Sequence, residues 1–182
     1  MPTILTHAAI PLAAGLGLGK RVISHRLLVA GVVASMLPDF DVIGLGLGVE
    51  YGSQFGHRGF THSLFFAFVI ALAGACAYQT LQSTAKRAFL FLFAATASHG
   101  ILDSFTNGGQ GIAFLWPFSS ERFFSPFRVI EVSPIGLSRF LSPRGVAVLE
   151  SEAVWVWLPC IALCALLWAW RRRQTNPATD SP

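Results

Sequence analysis

Apolar residues run along this chain in five stretches, about Thr3 to Leu18, Leu27 to Leu37, His62 to Leu81, Arg87 to Phe105 and Val146 to Trp170. Polar positions gather at their ends instead of alternating within them. Stretches with no polar face read as helices buried all round or set in lipid. The third, fourth and fifth reach the roughly 20 residues that a bilayer-spanning helix needs. The first two are shorter, and Gly15, Gly17 and Gly19, just before the basic turn GKRVISHR, suit a tilted or partly embedded hairpin.

Two connections, Gly44 to Gly56 and Asn107 to Pro143, are rich in Gly, Ser, Pro and aromatics, as segments outside the hydrocarbon core should be. Within the second, LWPFSSERFFSPF mixes Trp, Phe and Arg, which predicts an interfacial segment roofing whatever lies beneath it. The fold class that follows is all-α: a polytopic membrane helical bundle with about four to five hydrophobic helices and a long non-cytoplasmic connection. It forms one domain over residues 1–170, and a polar, disordered tail is expected over 171–182.

Composition agrees. Of 182 residues, 53% are hydrophobic and only 12% charged, with a mean hydropathy of +0.59, outside the usual soluble range. Thirteen Lys and Arg against nine Asp and Glu give +4. The basic residues stand beside apolar runs, where anionic lipid headgroups account for them better than nucleic acid does. Cys76, Cys160 and Cys164 lie inside apolar runs without a CxxC and read as core thiols. The N-terminus lacks the basic start of a secretory signal, so no cleavage is expected.

If five helices alternate, Lys20, Arg21, Arg26, Lys86, Arg87 and Arg171 to Arg173 share one face, which the positive-inside rule makes cytoplasmic. The same alternation sends His7, Asp39, Asp41, His57, His62, His99 and Asp103 to the opposite, non-cytoplasmic face. Of the five histidines only His25 falls on the basic side, and it is left out of the site.

These residues carry candidate chemistry. His99 and Asp103 are four apart, one helical turn, so both can face one metal ion, or the carboxylate can orient the imidazole. Asp39 and Asp41 follow Pro38, which predicts an extended piece with both carboxylates pointing one way; a divalent cation would offset their repulsion. In HRGFTHS, Gly59 permits a tight bend and Thr61 can cap a helix opening at His62, aiming His57 and His62 at one volume. Plainer readings exist for each: buried hydrogen-bonded histidines, capping acids, or a solvated polar loop. Ionisable residues at membrane depth are costly, which favours function.

Four His and three Asp without thiolates form a donor set for Zn, Mn or Fe, as one or two divalent ions. Arg58 beside them can hold a phosphate or carboxylate. The two GLGLG runs lack the GxGxxG spacing of a phosphate-cradling turn, and no GxSxG or reactive Cys offers a competing nucleophile. Water activated by metal is the remaining attacker, with Asp41, Arg58 and His62 as the candidate catalytic residues.

The order TH, LPDFD, HRGFTHS, SHGILDSFTNGG and LWPFS between apolar helices resembles the YdjM family of inner-membrane-bound, metal-dependent hydrolases, also labelled LexA-binding. The likeness covers roughly Met1 to Phe118. That family is similar in turn to zinc-dependent phospholipase C and P1-type nucleases. The resemblance implies phosphoester hydrolysis, with His7, Asp39, Asp41, His57, His62, His99 and Asp103 as metal ligands. The expected function is therefore a membrane-bound, metal-dependent hydrolase of a lipid or lipid-linked phosphoester in the bacterial inner membrane. Its partners are membrane lipid and a lipid-like substrate, with no nucleic acid. The alternative is a non-enzymatic membrane protein that binds or conducts metal ions or protons through the His/Asp cluster.

Overall fold

The computed structural model of the chain describes residues 1–175. Among these residues the fold is all-helical, with two isolated bridges, Thr106 to Ile130 and Ile112 to Phe123, and no strand. A 3-10 turn, Thr6–Ala8, leads into α1 (Ala9–Leu18). Next come α2 (His25–Met36), a 3-10 turn Leu37–Asp41, and the short α3 (Val42–Gly46). A further 3-10 turn, Phe60–His62, precedes α4 (Leu64–Cys76) and α5 (Ala85–Ser104). After the long connection lie α6 (Leu137–Phe140), α7 (Pro143–Glu152), a π-helical turn Ala153–Trp157, and α8 (Leu158–Thr175).

Among the described residues two helical stretches are long and apolar enough to cross a membrane: His25–Gly46, with 22 residues, and Pro143–Gln174, with 32. The expected four to five spans are therefore not all matched by length. The third apolar stretch ends its helix at Cys76 after 13 residues. The fourth, α5, has 20 residues but carries Lys86, Arg87, His99 and Asp103. Helix α8 runs on to Thr175, so Arg171 to Thr175 are helical where a polar tail was expected. The rest of that tail, 176–182, lies outside the described residues.

Helix starts are set by side chains. Ser24, Ser63 and Thr84 each accept from the backbone N–H three residues on, at 3.1, 3.0 and 3.3 Å, satisfying a donor with no partner inside the helix. Small residues then let the helices pack closely. One cluster joins Ile23 and Leu27 to Ala71, Ala88, Phe91 and Leu92, locking α2, α4 and α5. A second joins Ala9 and Ala13 of α1 to Leu102, Val156 and Cys160. Large apolar side chains turned outward, such as Val29, Val33, Phe68, Leu72, Leu158, Ile161 and Leu166, coat the outer surface as a lipid-facing belt does. The buried His and Asp side chains gather at one end of the bundle.

Candidate metal centre

Four elements deliver that polar end. The turn before α1 brings His7, the turn after α2 brings Asp39 and Asp41, the turn before α4 brings His62, and the last turn of α5 brings His99 and Asp103. Donor atoms of Asp39, His62, His99 and Asp103 all lie within 4.8 Å of one another, and all four residues are buried. His7 closes the group: its ring stacks on His99 with centroids 3.6 Å apart, and its Nε2 lies 3.6 Å from Asp39 Oδ2 and 3.5 Å from Asp103 Oδ1.

The shortest separations inside the group approach those of donors on one ion, while His62 Nε2 to Asp39 Oδ1 and His99 Nε2 to Asp103 Oδ2 are wider, at 3.9 Å. His62 Nε2 and His99 Nε2 are 3.0 Å apart, His99 Nε2 and Asp39 Oδ1 3.3 Å, and His62 Nε2 and Asp103 Oδ2 3.5 Å. Donors about 2.1 Å from a shared metal sit roughly 3.0 to 3.4 Å from each other, depending on geometry. Both nitrogens of His7 and all four carboxylate oxygens of Asp39 and Asp103 are buried with no hydrogen-bond partner. Buried polar atoms left this way are costly, and a cation satisfies them together.

The surrounding atoms aim the imidazoles. His99 Nδ1 is 2.8 Å from the carbonyl oxygen of Ser35, an acceptor only, so Nδ1 carries a hydrogen and Nε2 is turned inward. His62 Nδ1 lies 3.3 Å from Asp41 Oδ2 and 3.0 Å from Thr61 Oγ1, which sets its Nε2 the same way. Burial alone would lower the His62 pKa, but the carboxylates of Asp103 and Asp41 outweigh it and raise the group to about 9.

Two local expectations are corrected. Asp39 and Asp41 do not share a direction, because Leu37–Asp41 is a 3-10 turn and not an extended piece. Residues two apart on such a turn diverge. Asp39 faces the five-residue group, while Asp41 faces His57, with its Oδ1 2.6 Å from His57 Nδ1. Thr61 does not cap a helix at His62 either; Ser63 caps α4, and Thr61 Oγ1 donates to Asp41 Oδ2 at 2.8 Å. Gly59 does serve the bend, since a Cβ there would collide with the carbonyl of Gln54.

Arg58 sits behind the group, fully buried and with φ +66. Its Nε is 3.3 Å from Asp103 Oδ2, Nη1 donates to the carbonyls of Gly108 (2.9 Å) and Gln110 (2.6 Å), and Nη2 donates to Thr106 Oγ1 (2.8 Å). The guanidinium thus ties Asp103 to the 106–110 loop and is turned away from solvent. That loop and the next residues form the roof: Ile112 and Ala113 are buried, and Leu64 N–H donates to Phe114 O at 3.1 Å. Arg122 fastens it, reaching the carbonyls of His57, Gly111, Gly52 and Ser53.

Sequence reasoning missed Glu152. This buried carboxylate accepts from the Thr3 backbone N–H, from Thr3 Oγ1 (2.8 Å) and from Thr6 Oγ1 (2.7 Å), fixing the segment that carries His7. Its signal was a carboxylate inside an apolar stretch. The π-helical turn begins at the next residue.

The chain matches the family described as YdjM inner membrane protein over residues 1–176. It belongs to that family. The match runs well past Phe118, where the motif likeness ended, and takes in α7, α8 and Glu152. The chain is also 53% identical over 176 residues to Inner membrane protein YbcI of Escherichia coli (strain K12), covering 95% of this chain and all of that protein. No solved structure matches. The chain is thus an inner membrane protein whose buried His/Asp group can hold a metal ion.

Proposed function

We propose that this protein is a multi-pass, membrane-bound, metal-dependent hydrolase of a lipid or lipid-linked phosphoester, with its site toward the non-cytoplasmic face. One observation carries the metal: a buried set of three imidazoles and two carboxylates whose facing donor atoms lack hydrogen-bond partners on His7, Asp39 and Asp103. The N/O donor set favours zinc, with Mn or Fe as the next candidates. The five converging donors take one ion; Asp41, His57 and His62, whose donor atoms also lie within 4.8 Å of one another, form a second group in which Asp41 and His57 already pair with each other at 2.6 Å. A divalent ion held by the five supplies Lewis acidity toward a phosphoryl oxygen and lowers the pKa of water.

The chain's own residues divide the remaining work. His7, Asp39, His62, His99 and Asp103 hold the ion. Asp41 orients His62 and His57, and we assign His57, held through Nδ1, the role of proton carrier. Arg58 positions Asp103 from behind. The 106–114 roof excludes water and must open for a substrate to enter.

Complete burial of the group supports a second reading, a membrane protein that binds the ion without turnover. Conduction has less support, since the buried His and Asp side chains of the group lie toward one end of the bundle.

Purified, metal-loaded protein in lipid vesicles should hydrolyse a phosphatidyl or polyprenyl phosphoester faster than a soluble phosphodiester, and His57→Ala should reduce turnover while metal stays bound. Full metal occupancy with no turnover of any of these substrates would replace the hydrolase with the second reading.

A further inference from the structure

Leu102 and Phe105 of α5, Phe127, Val129 and Ile130 of the long connection, and Trp155 of the π-helical turn line a cavity of about 390 Å³. Leu102 and Ile130 are buried, while Phe127, Val129 and Trp155 are exposed and mark its mouth. The buried wall adjoins the His/Asp group. Leu102 directly precedes Asp103, Ile130 N–H donates to Phe105 O at 3.1 Å, and Thr106 Oγ1 donates to Asp103 O at 2.7 Å. The lining is apolar apart from the Trp155 indole N–H, which makes no hydrogen bond among the described residues. Trp157, two positions on, instead gives its N–H to Thr6 Oγ1 at 3.1 Å.

An ion or a polar metabolite would lose its water here and gain almost no partner, so the cavity suits an apolar ligand. Its depth decides which. Trp155 belongs to the membrane-length stretch Pro143–Gln174, between Val154 and the nearby Leu158, both exposed on the lipid-facing belt. It stands sixteen residues before Arg171, at the basic end. At 1.5 Å per residue that is about 24 Å, short of the roughly 30 Å of a hydrocarbon core. The mouth therefore opens sideways among the acyl chains of the leaflet on the His/Asp side, continuous with the belt. A tryptophan at that level joins an apolar ring to an N–H that can meet a lipid ester oxygen. The wall it forms is a π-helical turn, an irregularity found often at functional sites. We propose that this cavity holds one acyl chain of a membrane phospholipid; on the hydrolase reading, on which this last step rests, that lipid is the substrate and the cavity anchors its tail beside the metal.

The test uses the full-length chain in vesicles of phosphatidylglycerol, a fraction of which carries a photoreactive diazirine in one acyl chain. After irradiation, adducts are located by peptide mass spectrometry. Phe127, Val129 and Trp155 should be labelled about threefold or more above Leu158, Ile161 and Leu166, which are as exposed but lie on the open belt, because a pocket surrounds its ligand and the belt does not. Val129→Trp should fill the cavity and bring Phe127 and Trp155 down to the belt level, whereas Leu166→Trp should leave the pattern unchanged. With metal-loaded protein, Val129→Trp should also raise KM for a long-chain phosphoester about tenfold at normal metal content. Labelling that follows exposure alone, or a pattern that Val129→Trp leaves intact, would overturn the proposal. So would the absence of adducts at the cavity together with a dimer in native mass spectrometry, which would assign the space to a second copy of the chain. Adducts concentrated in the cavity with no turnover would uphold the acyl-chain site and sink only the hydrolase reading.

Discussion

His62 Nε2 and His99 Nε2 face each other at 3.0 Å, each ring fixed from behind by an acceptor at its Nδ1. Two lone pairs cannot hold that approach without a proton or a cation between them. With its pKa raised to about 9, His62 carries the proton when the ion is absent. Metal must displace it, so binding releases a proton below that pH. Apparent metal affinity should rise about tenfold per pH unit up to near pH 9 and then level off. Calorimetry in buffers of different ionisation enthalpy measures the released proton; a pH-independent affinity between pH 6 and 8 would contradict this.

Arg58 should act through structure. Removing it leaves Asp103 without its ion-pair partner and the carbonyls of Gly108 and Gln110 without their donor, an effect of about 3–5 kcal/mol for a broken buried ion pair. Arg58→Ala should therefore lower Tm and metal content together. A substrate-clamp role would instead leave metal content normal and weaken only the turnover of anionic substrates.

Glu152 is predicted to support the centre from a distance. Glu152→Gln keeps the shape but loses a charge-assisted acceptor shared by Thr3 and Thr6, costing about 1–3 kcal/mol. The N-terminal segment should loosen, and metal affinity should fall toward that of His7→Ala. Adding Glu152→Gln to His7→Ala should then change affinity little, which a double-variant cycle reads directly.

Much of this site was legible in the sequence because its donors sit at fixed offsets from apolar runs. His99 and Asp103 share a helix face by spacing alone, and alternation of the apolar stretches sends the others to the same end. Local geometry was less legible. Pro38 permits both an extended piece and a tight turn, and only packing beneath α2 selects the 3-10 turn that separates Asp39 from Asp41. Arg58 looked free because its partners, the carbonyls of Gly108 and Gln110, are 50 and 52 residues away. The length of the third stretch was less legible, because apolar composition around Leu64–Cys76 continues past the helix into a turn.

Topology gives a further prediction. The basic ends of His25–Gly46 and Pro143–Gln174 meet at one face, which should be cytoplasmic. A reporter active only in the periplasm, fused after Arg173, should be silent. Strong activity would move the His/Asp group to the cytoplasmic side.

The most direct measurement is the metal content of purified protein, wild type against His99→Ala and Asp103→Ala, by elemental analysis after exposure to zinc and removal of loosely held ions. One ion per chain is predicted for the wild type, with a fall of about tenfold or more in affinity for each variant, since each loses a donor and leaves its neighbours misdirected. A wild type that holds no ion, or variants that hold it as tightly as the wild type, would contradict a metal centre built from these residues.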